Sequence, residues 1–298
     1  MTVRLAHFSD IHVSANPIGW RRGDWLTKRV SGWINTHWRS RRWRFAQAAE
    51  VVERLVADVH QRQPDALVFS GDATMLGFPA ELTRAAALLN VADARTPGIA
   101  VPGNHDYYIA RAERSGDFER TFAPWQVGER VDSEPYPFAR QVGHVWLIGV
   151  NSAVGNRVPW DARGQAGAPQ LRRLATLLER LPPGPRVLVT HYPVANAAGE
   201  PEGEWHRLRD LISLQETASA GNVNLWLHGH RHDAYRLAPR SEQPFPVICA
   251  GSATEAGRWG YHEYAIDGFT LHGVRRSYDP NQRGFRDETT FTLELQRS

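Results

Sequence analysis

Short apolar runs recur along the chain, and most of them end in a polar turn that holds a carboxylate, an amide or an imidazole. Short, continuous apolar runs are typical of strands that are buried on both faces of a sheet. We predict six such strands, at residues 3–8, 66–69, 99–101, 145–150, 186–190 and 225–227. Helical patterns follow several of them, so the sequence predicts an α/β fold built from β-α units.

Three segments have the apolar spacing of an amphipathic helix, with apolar side chains at i, i+3 or i+4, and i+7. These predicted helices cover residues 45–59, 82–89 and 171–181. Pro64 closes off the first of them. Near the end of the chain the pattern changes to that of β-hairpins, with predicted strands at residues 261–267, 269–275 and 290–295.

Composition narrows the class of protein to which this pattern belongs. No apolar run approaches the roughly 20 residues that a membrane-spanning helix needs, and the first residues lack the pattern of a signal peptide. Cys249 is the only cysteine, which excludes an intrachain disulfide and a cysteine-ligated zinc site and is typical of a reducing cytoplasm. Because Cys249 lies in an apolar run, we predict a buried core residue and not a nucleophile.

Charge is distributed unevenly along the chain. We find no internal repeat and no linker, so we predict a single domain over residues 1–298, with a basic, Trp-rich helical insertion at about residues 20–44. The insertion contains eight lysine and arginine residues against Asp24 alone, while the whole chain has a net charge of only +3. The remainder of the chain is therefore net acidic.

Candidate metal ligands lie at the predicted carboxyl ends of strands, where open α/β sheets bind ligands. They are Asp10, His12, Asp72, Asn104, His191, His230 and His232. Because strand residues alternate, Asp-x-His and His-x-His each direct two donors to the same side of the backbone, where the donors can share one ion. His228 offers a third histidine, so the pair 228 and 230 is an alternative to the pair 230 and 232.

The candidate ligands supply nitrogen and oxygen but no sulfur. Such a set suits two divalent ions such as Mn, Fe, Zn, Co or Ni, of which we favour Mn. Two ions about 3.5–4 Å apart can hold a bridging hydroxide and both oxygens of an in-line phosphoryl displacement. Taken singly, residues of these types are more often exposed or hydrogen-bonded than metal-bound, and it is their joint occurrence that favours a metal site.

Five motifs carry these residues: Asp10-x-His12, Gly71-Asp72, Gly103-Asn104-His105-Asp106, His191 and Gly229-His230-x-His232. In type, order and spacing they resemble the motifs of the calcineurin-like metallophosphoesterase superfamily. The resemblance implies a four-layer α-β-β-α sandwich with mixed sheets and with the metals at the sheet ends. It also implies the ligand sets: Asp10, His12 and His232 for one ion, Asn104, His191 and His230 for the other, and Asp72 as the bridge.

The same resemblance implies catalytic roles. His105 would contact the phosphate and protonate the leaving oxygen as a general acid, and Asp106 would orient His105. The pair 230 and 232 is favoured, because the family's glycine immediately precedes the first ligand. Many relatives have a second histidine where this chain has Tyr192, and this difference bears on substrate contacts. The predicted substrate contacts are Arg231, Tyr192, His262, Trp25 and Trp33.

The insertion leaves three interpretations open. Read as one helix, it places Leu26, Val30, Trp33, Ile34 and His37 on one stripe. Tryptophan with arginine is the composition of a helix that lies on an anionic membrane. The alternatives are a helical cap packed on the domain, with its arginines solvated or paired, and a nucleic-acid surface, which is disfavoured because the charge lies in one short segment.

These patterns predict a two-metal hydrolase of phosphodiester or pyrophosphate bonds. Within the superfamily, the insertion with its stretch at residues 28–35 resembles enzymes that cleave the pyrophosphate of UDP-2,3-diacylglucosamine in lipid A synthesis. The chain also resembles cyclic-nucleotide phosphodiesterases, which act on soluble substrates. A third hypothesis is a non-catalytic scaffold of the same fold, against which the complete ligand set argues. We expect a cytoplasmic protein, peripheral on the inner face of the membrane if its substrate is a lipid.

Overall fold

Two six-stranded β-sheets lie at the centre of the computed structural model, which describes residues 1–38, 41–93, 95–156, 158 and 160–296. The first sheet contains, in spatial order, β12 (Gly284–Glu294), β11 (Thr270–Asp279), β10 (Gly260–Asp267), β1 (Val3–Phe8), β2 (Ala66–Phe69) and β3 (Gly98–Ala100). The second contains β4 (Phe138–Val142), β5 (Val145–Gly149), β6 (Arg186–Val189), β7 (Leu225–His228), β9 (Val247–Cys249) and β8 (Tyr235–Leu237).

Both sheets are mixed. In the first sheet β1, β2 and β3 run parallel, and β10, β11 and β12 continue it in antiparallel pairs. In the second sheet β5, β6, β7 and β9 run parallel, and β4 and β8 are antiparallel edge strands. The carboxyl ends of the parallel strands therefore meet at one edge of each sheet, and the loops that follow them lie side by side.

Helices surround the sheets. They are α1 (Arg29–Trp38), α2 (Arg41–Arg44), α3 (Ala48–Arg62), α4 (Pro79–Leu88), α5 (Ala110–Ser115), α6 (Asp117–Thr121), α7 (Ala168–Arg180) and α8 (Leu211–Ala220). Short 3₁₀ helices cover Arg22–Leu26 and Ala123–Trp125. Among the described residues, no helix is both long enough and apolar enough to cross a membrane.

The alternation of side chains along the strands explains the layers. Leu5 of β1 lies in a buried cluster with Leu225 of β7, so the two sheets pack face to face. Phe8 of β1 belongs to a second cluster that includes helix side chains such as Leu55 of α3 and Leu177 of α7. Helices therefore cover the outer faces of both sheets, and the predicted four-layer α/β sandwich is confirmed.

Some elements differ from the prediction. The first amphipathic helix begins at Ala48 instead of residue 45, and Phe45 packs with Met75 and Phe78 in a separate cluster. The strands of the last hairpin are longer than predicted, because β11 continues to Asp279 and β12 begins at Gly284. The sequence analysis missed β4, β8, α5, α6 and α8, which are short or have weak apolar periodicity. Cys249 is completely buried in β9, as predicted.

The insertion is not one continuous helix, and the predicted apolar stripe does not form. Leu26 ends the 3₁₀ helix and is 94% exposed, and Ile34 of α1 is also exposed. Trp33 is half-buried and packs with Trp20 against the cluster around Phe78. The side chain of His37 lies outside the described residues, as do residues 39 and 40 and the side chains of Trp38, Arg41 and Arg42.

A buried ion pair anchors the first part of the insertion. Asp24 is fully buried, accepts a hydrogen bond from the backbone N–H of Arg21 at 2.8 Å, and pairs with Arg29 at 2.7 Å. Burial opposes the charge of Asp24, but the hydrogen bonds from Arg21 and Arg29 outweigh it and lower the pKa of this carboxyl. Arg29 also donates to Leu76 O at 3.0 Å. This part of the insertion is therefore a cap that packs on the domain.

Candidate metal centre

The candidate ligands follow strand ends, but strand alternation is not what aligns them. Asp10 and His12 lie beyond the end of β1, and His230 and His232 lie beyond the end of β7. These four residues and Asp72 all have positive φ, between 42° and 71°. Non-glycine residues seldom adopt this left-handed region, and at functional sites the surrounding structure holds them there. The predicted period-2 alignment is therefore wrong, and left-handed turns bring the donors together.

Glycines next to the ligands allow the loops to approach closely. A Cβ at Gly229 would overlap Ser9 Oγ and lie 2.5 Å from Asp10 Oδ2. A Cβ at Gly103 would overlap the carboxylate of Asp72. Any side chain at these positions would therefore push a carboxylate out of the centre.

Asp10, His12 and His232 form the first group of donors. His12 Nε2 lies 3.0 Å from His232 Nε2. Asp10 Oδ1 lies 3.3 Å from His232 Nε2 and 3.8 Å from His12 Nε2. Asp72 Oδ2 approaches this group to 3.6 Å from His12 Nε2.

Asn104, His191 and His230 form the second group. Asn104 Oδ1 lies 3.1 Å from His191 Nε2 and 2.9 Å from His230 Nδ1. The two imidazoles approach to 3.3 Å between His191 Nε2 and His230 Nδ1. Asp72 Oδ2 lies 3.5 Å from His191 Nε2, so this carboxylate stands between the two groups. The structure thus brings together all seven residues that were predicted as ligands.

Outer hydrogen bonds determine which nitrogen faces the centre in three of the four rings. His12 Nδ1 donates to Thr74 O at 3.2 Å, and His191 Nδ1 donates to Ser70 O at 2.8 Å. A carbonyl oxygen only accepts, so Nδ1 carries the proton and Nε2 of the neutral ring presents a lone pair to the centre. The carboxylate of Glu255 bonds Nδ1 of His232 in the same way.

This arrangement fits divalent cations. His12 Nε2 and His232 Nε2 face each other at 3.0 Å, a separation that requires a proton or a cation between them. Asp10 Oδ1 is buried and accepts no hydrogen bond from the described residues. Buried acceptors without a partner are costly, whereas carboxylate and imidazole donors with outer hydrogen bonds are typical of metal sites. The aspartate and histidine residues form three overlapping sets that can each hold a metal ion. Within each set the ligand atoms lie within 4.8 Å of one another.

The electrostatics of the donor groups lead to the same conclusion. Burial lowers the pKa of His191, but the nearby Asp72 carboxylate outweighs it and raises this pKa to about 9. At His232, Asp10 and Glu255 likewise outweigh burial and raise the pKa to about 9. The centre therefore attracts positive charge, which protons supply when no metal ion is bound.

His105 lies beside the donors. Its backbone N–H donates to Asp72 Oδ1 at 2.7 Å. Its ring Nδ1 bonds Met75 O at 2.7 Å, and the imidazole packs edge-on against that of His12, with centroids 4.7 Å apart. The orientation of the ring is therefore fixed by a backbone carbonyl.

Asp106 is connected to His105 through Thr74, which both residues contact. Its buried carboxylate accepts hydrogen bonds from Gly103 N at 2.9 Å and from Thr74 N at 3.0 Å. Thr74 Oγ1 in turn donates to the backbone oxygen of His105 at 2.9 Å. Burial and the charge of Asp72 raise the pKa of Asp106. Asp106 thus holds residues 73–75, which carry the carbonyl that orients His105.

A cavity of about 310 Å³ opens over the donors. Five residues of the centre line it, namely Asp72, Asn104, His105, His230 and His232. Arg231, which was predicted as a substrate contact, also lines it. The rest of the lining is Lys28, Asn35, Tyr108, Asp161, Ala162 and His206. Arg231 also pairs with the buried Glu202 at 3.2 Å. Lys28, Asn35, Tyr108, Asp161 and His206 were missed by the sequence analysis, since they lie outside the motifs.

Two predicted substrate contacts have no access to the cavity. Tyr192 is fully buried and stacks on His230, with ring centroids 4.5 Å apart. It therefore supports His230 instead of touching substrate. His262 is also buried, in β10, where it stacks on Tyr264. Both predictions are wrong because side chains at these positions point into the core.

Burial shows where the remaining predicted residues, His228 and Trp25, lie relative to the centre. His228 is fully buried, and its Nδ1 bonds Gly229 O at 2.9 Å, away from the donor groups. Of the three histidines in this segment, His230 and His232 reach the centre. Trp25 is 59% exposed and stacks on Trp20 at 4.6 Å, so it lies on the surface of the insertion.

Comparison with known proteins agrees with this geometry. The family model described as calcineurin-like phosphoesterase matches residues 3–234. The chain belongs to this family. No curated protein matches the sequence, so membership in the calcineurin-like phosphoesterases rests on the family match and on structure.

Solved structures show the same fold at low sequence identity. A dimetal phosphatase from Danio rerio is 12% identical with a TM-score of 0.67, over 99% of both chains. The purple acid phosphatase PPD1 from yellow lupin seeds is 12% identical with a TM-score of 0.63, over 99% of this chain and 54% of that one. GAP50, the anchor in the inner membrane complex of Plasmodium, is 11% identical with a TM-score of 0.56, over 99% of this chain and 90% of that one. The calcineurin-like fold is therefore shared by phosphatases and by an anchor protein.

Proposed function

We propose that this chain hydrolyses phosphodiester or pyrophosphate bonds with two divalent metal ions, of which Mn is favoured. Asp10, His12 and His232 would hold one ion, Asn104, His191 and His230 the other, and Asp72 would bridge them. The observation that carries the proposal is the convergence of these seven donors, with the inner nitrogens of His12, His191 and His232 fixed by outer hydrogen bonds. When bound, two such ions lower the pKa of water and neutralise charge on the phosphoryl oxygens.

The residues beside the metal centre supply the proton chemistry. Nδ1 of the His105 ring donates its hydrogen to Met75 O, so in the imidazolium form Nε2 carries the second proton and would donate it to the leaving oxygen. His105 lines the cavity, so a substrate phosphate over the donors lies within its reach. Asp106 holds the segment that orients this ring.

The fold alone does not separate an enzyme from a scaffold, since GAP50 is described as an anchor. A binding scaffold has no use for seven converging metal donors, or for an oriented histidine beside them. These features support an enzyme.

Metal content and hydrolysis, measured on the same preparations, test the proposal. We expect two metal ions per chain by mass spectrometry, and hydrolysis of bis-p-nitrophenyl phosphate with Mn²⁺. Asp72→Asn should lose metal and nearly all activity, because its carboxylate stands between both groups. Asp267→Asn, which changes an exposed aspartate, is the matched control. Full metal occupancy without hydrolysis of any phosphate ester would favour the scaffold.

For the substrate, we propose a nucleotide that carries acyl chains, such as UDP-2,3-diacylglucosamine, taken from an anionic membrane surface. The insertion supports this substrate, because it lines the cavity with Lys28 and Asn35 and also exposes large apolar side chains. These are Trp25, Leu26, Ile34 and Trp43. Exposed apolar residues within a strongly basic segment are typical of surfaces that contact anionic lipids.

A substrate panel and a vesicle-binding assay test the proposed substrate and the proposed membrane contact. The panel contains bis-p-nitrophenyl phosphate, a phosphate monoester, cyclic AMP and UDP-2,3-diacylglucosamine, and we expect the last to be hydrolysed most efficiently. Cosedimentation with anionic vesicles should fall for Trp25→Ala combined with Leu26→Ala, but not for Ile212→Ala, which removes an exposed apolar side chain on α8. Equal sedimentation of all three proteins would exclude a membrane role for the insertion.

A further inference from the structure

Lys28 is the only lysine among the 35 lysine and arginine residues of the chain. Every other basic side chain is an arginine, including those on the solvated surface. An ammonium differs from a guanidinium in being a compact point charge with three rotatable donors. The position of the one lysine therefore bears on function.

Lys28 lies at the cavity over the metal centre. Its Nζ lies 4.8 Å from the centroid of the Tyr108 ring, and that ring lies 5.2 Å from the imidazole of His105. Lys28, Tyr108 and His105 all line the cavity. The ammonium group is thus placed on the side of the centre where the leaving group is protonated in the proposed function.

The backbone around Lys28 is fixed by close packing. Gly32 N donates to Lys28 O at 3.0 Å, and a Cβ at Gly32 would overlap the Tyr108 hydroxyl and lie 2.7 Å from Leu76 Cδ2. On the other side, Arg29 is buried over the Phe78 ring at 3.9 Å. The helix that begins at residue 29 therefore holds Lys28 against the cavity.

Apart from the Tyr108 ring, the charge of Lys28 has no partner in the part of the chain that the structure describes. Among the described residues, Nζ makes no hydrogen bond or ion pair, although the side chain is half-buried. Asp161 is the carboxylate that acts on Lys28 across the cavity, but it is already paired with Arg163 and Arg209, both at 2.9 Å. A partly buried ammonium with three unused donors is a binding site for an anion.

We propose that Lys28 binds a second anionic group of the substrate, next to the phosphate that is cleaved. This inference rests on the proposed function, in which the donor groups take the scissile phosphate. A diphosphate diester has such a second phosphate, whereas a simple phosphodiester or a cyclic nucleotide lacks it. Lys28 therefore selects pyrophosphate bonds over single phosphodiesters.

Because Lys28 is the only side-chain amine, chemical labelling tests the contact without any turnover. The metal-loaded protein is acetylated at neutral pH with UDP or with UMP present, and labelling at Lys28 is followed by mass spectrometry. UDP should slow labelling of Lys28 more than UMP does, while the exposed α-amino group of Met1 serves as the internal control. Equal protection by the two nucleotides, or none, would overturn the proposal.

Kinetics provide the second readout. Lys28→Ala should lower kcat/KM for UDP-2,3-diacylglucosamine relative to that for bis-p-nitrophenyl phosphate by about 10–100-fold, as expected for a lost charge-assisted hydrogen bond. Arg172→Ala, which removes an exposed charge on α7, outside the insertion and the cavity, should leave this ratio unchanged. An unchanged ratio in Lys28→Ala contradicts the inference alone. If the wild type hydrolyses neither substrate, the proposed function fails, and the labelling result still decides the role of Lys28.

Discussion

At the scale of single residues, the outer hydrogen bond of each histidine determines what its inner nitrogen can do. His12, His191 and His105 all give Nδ1 to a backbone carbonyl. What separates the proposed ligands from the proposed acid is position, since His105 also contacts Tyr108 at the cavity wall. The same chemistry therefore serves metal binding in one place and proton donation in another.

His105→Ala tests this division of roles. We expect it to keep both metal ions, because His105 contributes to neither complete donor group in the proposed function. Turnover should fall by roughly 10²–10⁴-fold, the usual effect of losing a general acid. Metal analysis and kcat are measured together, with the exposed His60→Ala as the control. Loss of metal in His105→Ala would instead make this histidine a ligand.

The charge of Lys28 predicts a pH dependence. Burial lowers its pKa to about 8, while Asp161 acts in the opposite direction. The ammonium is present below this pH and lost above it, so kcat/KM for a diphosphate diester should decrease as pH rises through about 8. Lys28→Arg should abolish this decrease, since a guanidinium stays charged. If the decrease persists in Lys28→Arg, it does not come from the charge of Lys28.

At the scale of single residues, the sequence predicts which residues form the centre better than it predicts the groups that hold them in place. The motif residues Asp10, Asp72 and His230 all reach the centre. The partners of the histidines could not be predicted, because two of them are backbone carbonyls, which any residue supplies. Glu255 lies in a polar stretch after β9, and only the folded chain brings it to His232.

At the scale of elements, left-handed turns after the strands bring the metal donors together, whereas strand alternation was predicted to do so. The apolar runs correctly place β1, β2, β6 and β7. Their positive-φ turns were not predictable, since aspartate and histidine rarely adopt this conformation without tertiary support. The prediction for the insertion was wrong for another reason. A buried ion pair of Asp24 and Arg29, and not an apolar stripe, holds the insertion on the domain.

Gly32→Ala tests how the insertion is seated. The added methyl group would overlap the Tyr108 hydroxyl and press on Leu76. Overpacking of this kind costs about 1–3 kcal/mol, and here α1 can shift outward to relieve it. We expect a modest decrease in stability together with a higher KM for the diphosphate substrate, because Lys28 moves with α1. Gly203→Ala, where a Cβ would meet nothing within 4 Å, is the control.

At the scale of the whole molecule, the metal centre joins the two sheets. Asp10, His12, Asp72 and Asn104 follow strands of the first sheet, and His191, His230 and His232 follow strands of the second. Backbone hydrogen bonds also connect these loops, for example from Asp10 N to Gly71 O at 2.9 Å. Bound ions would thus add a cross-link between two sheets that already meet through apolar packing and through hydrogen bonds such as that from His191 Nδ1 to Ser70 O.

Removal of metal should therefore destabilise the entire fold and not only the site. A ligand present at about 1,000 times its Kd stabilises the folded state by about 4 kcal/mol. Without ions, the acceptors of Asp10, His12 and His232 are left facing one another, and protons compensate for this only in part. We expect chelation to lower the Tm of the wild type, and Mn²⁺ to restore it. Asp72→Asn should have a Tm that chelation does not change, because it binds no metal in the proposed function. An equal decrease in both proteins would show that the chelator acts elsewhere, and an unchanged wild-type Tm would show that the centre does not couple the sheets.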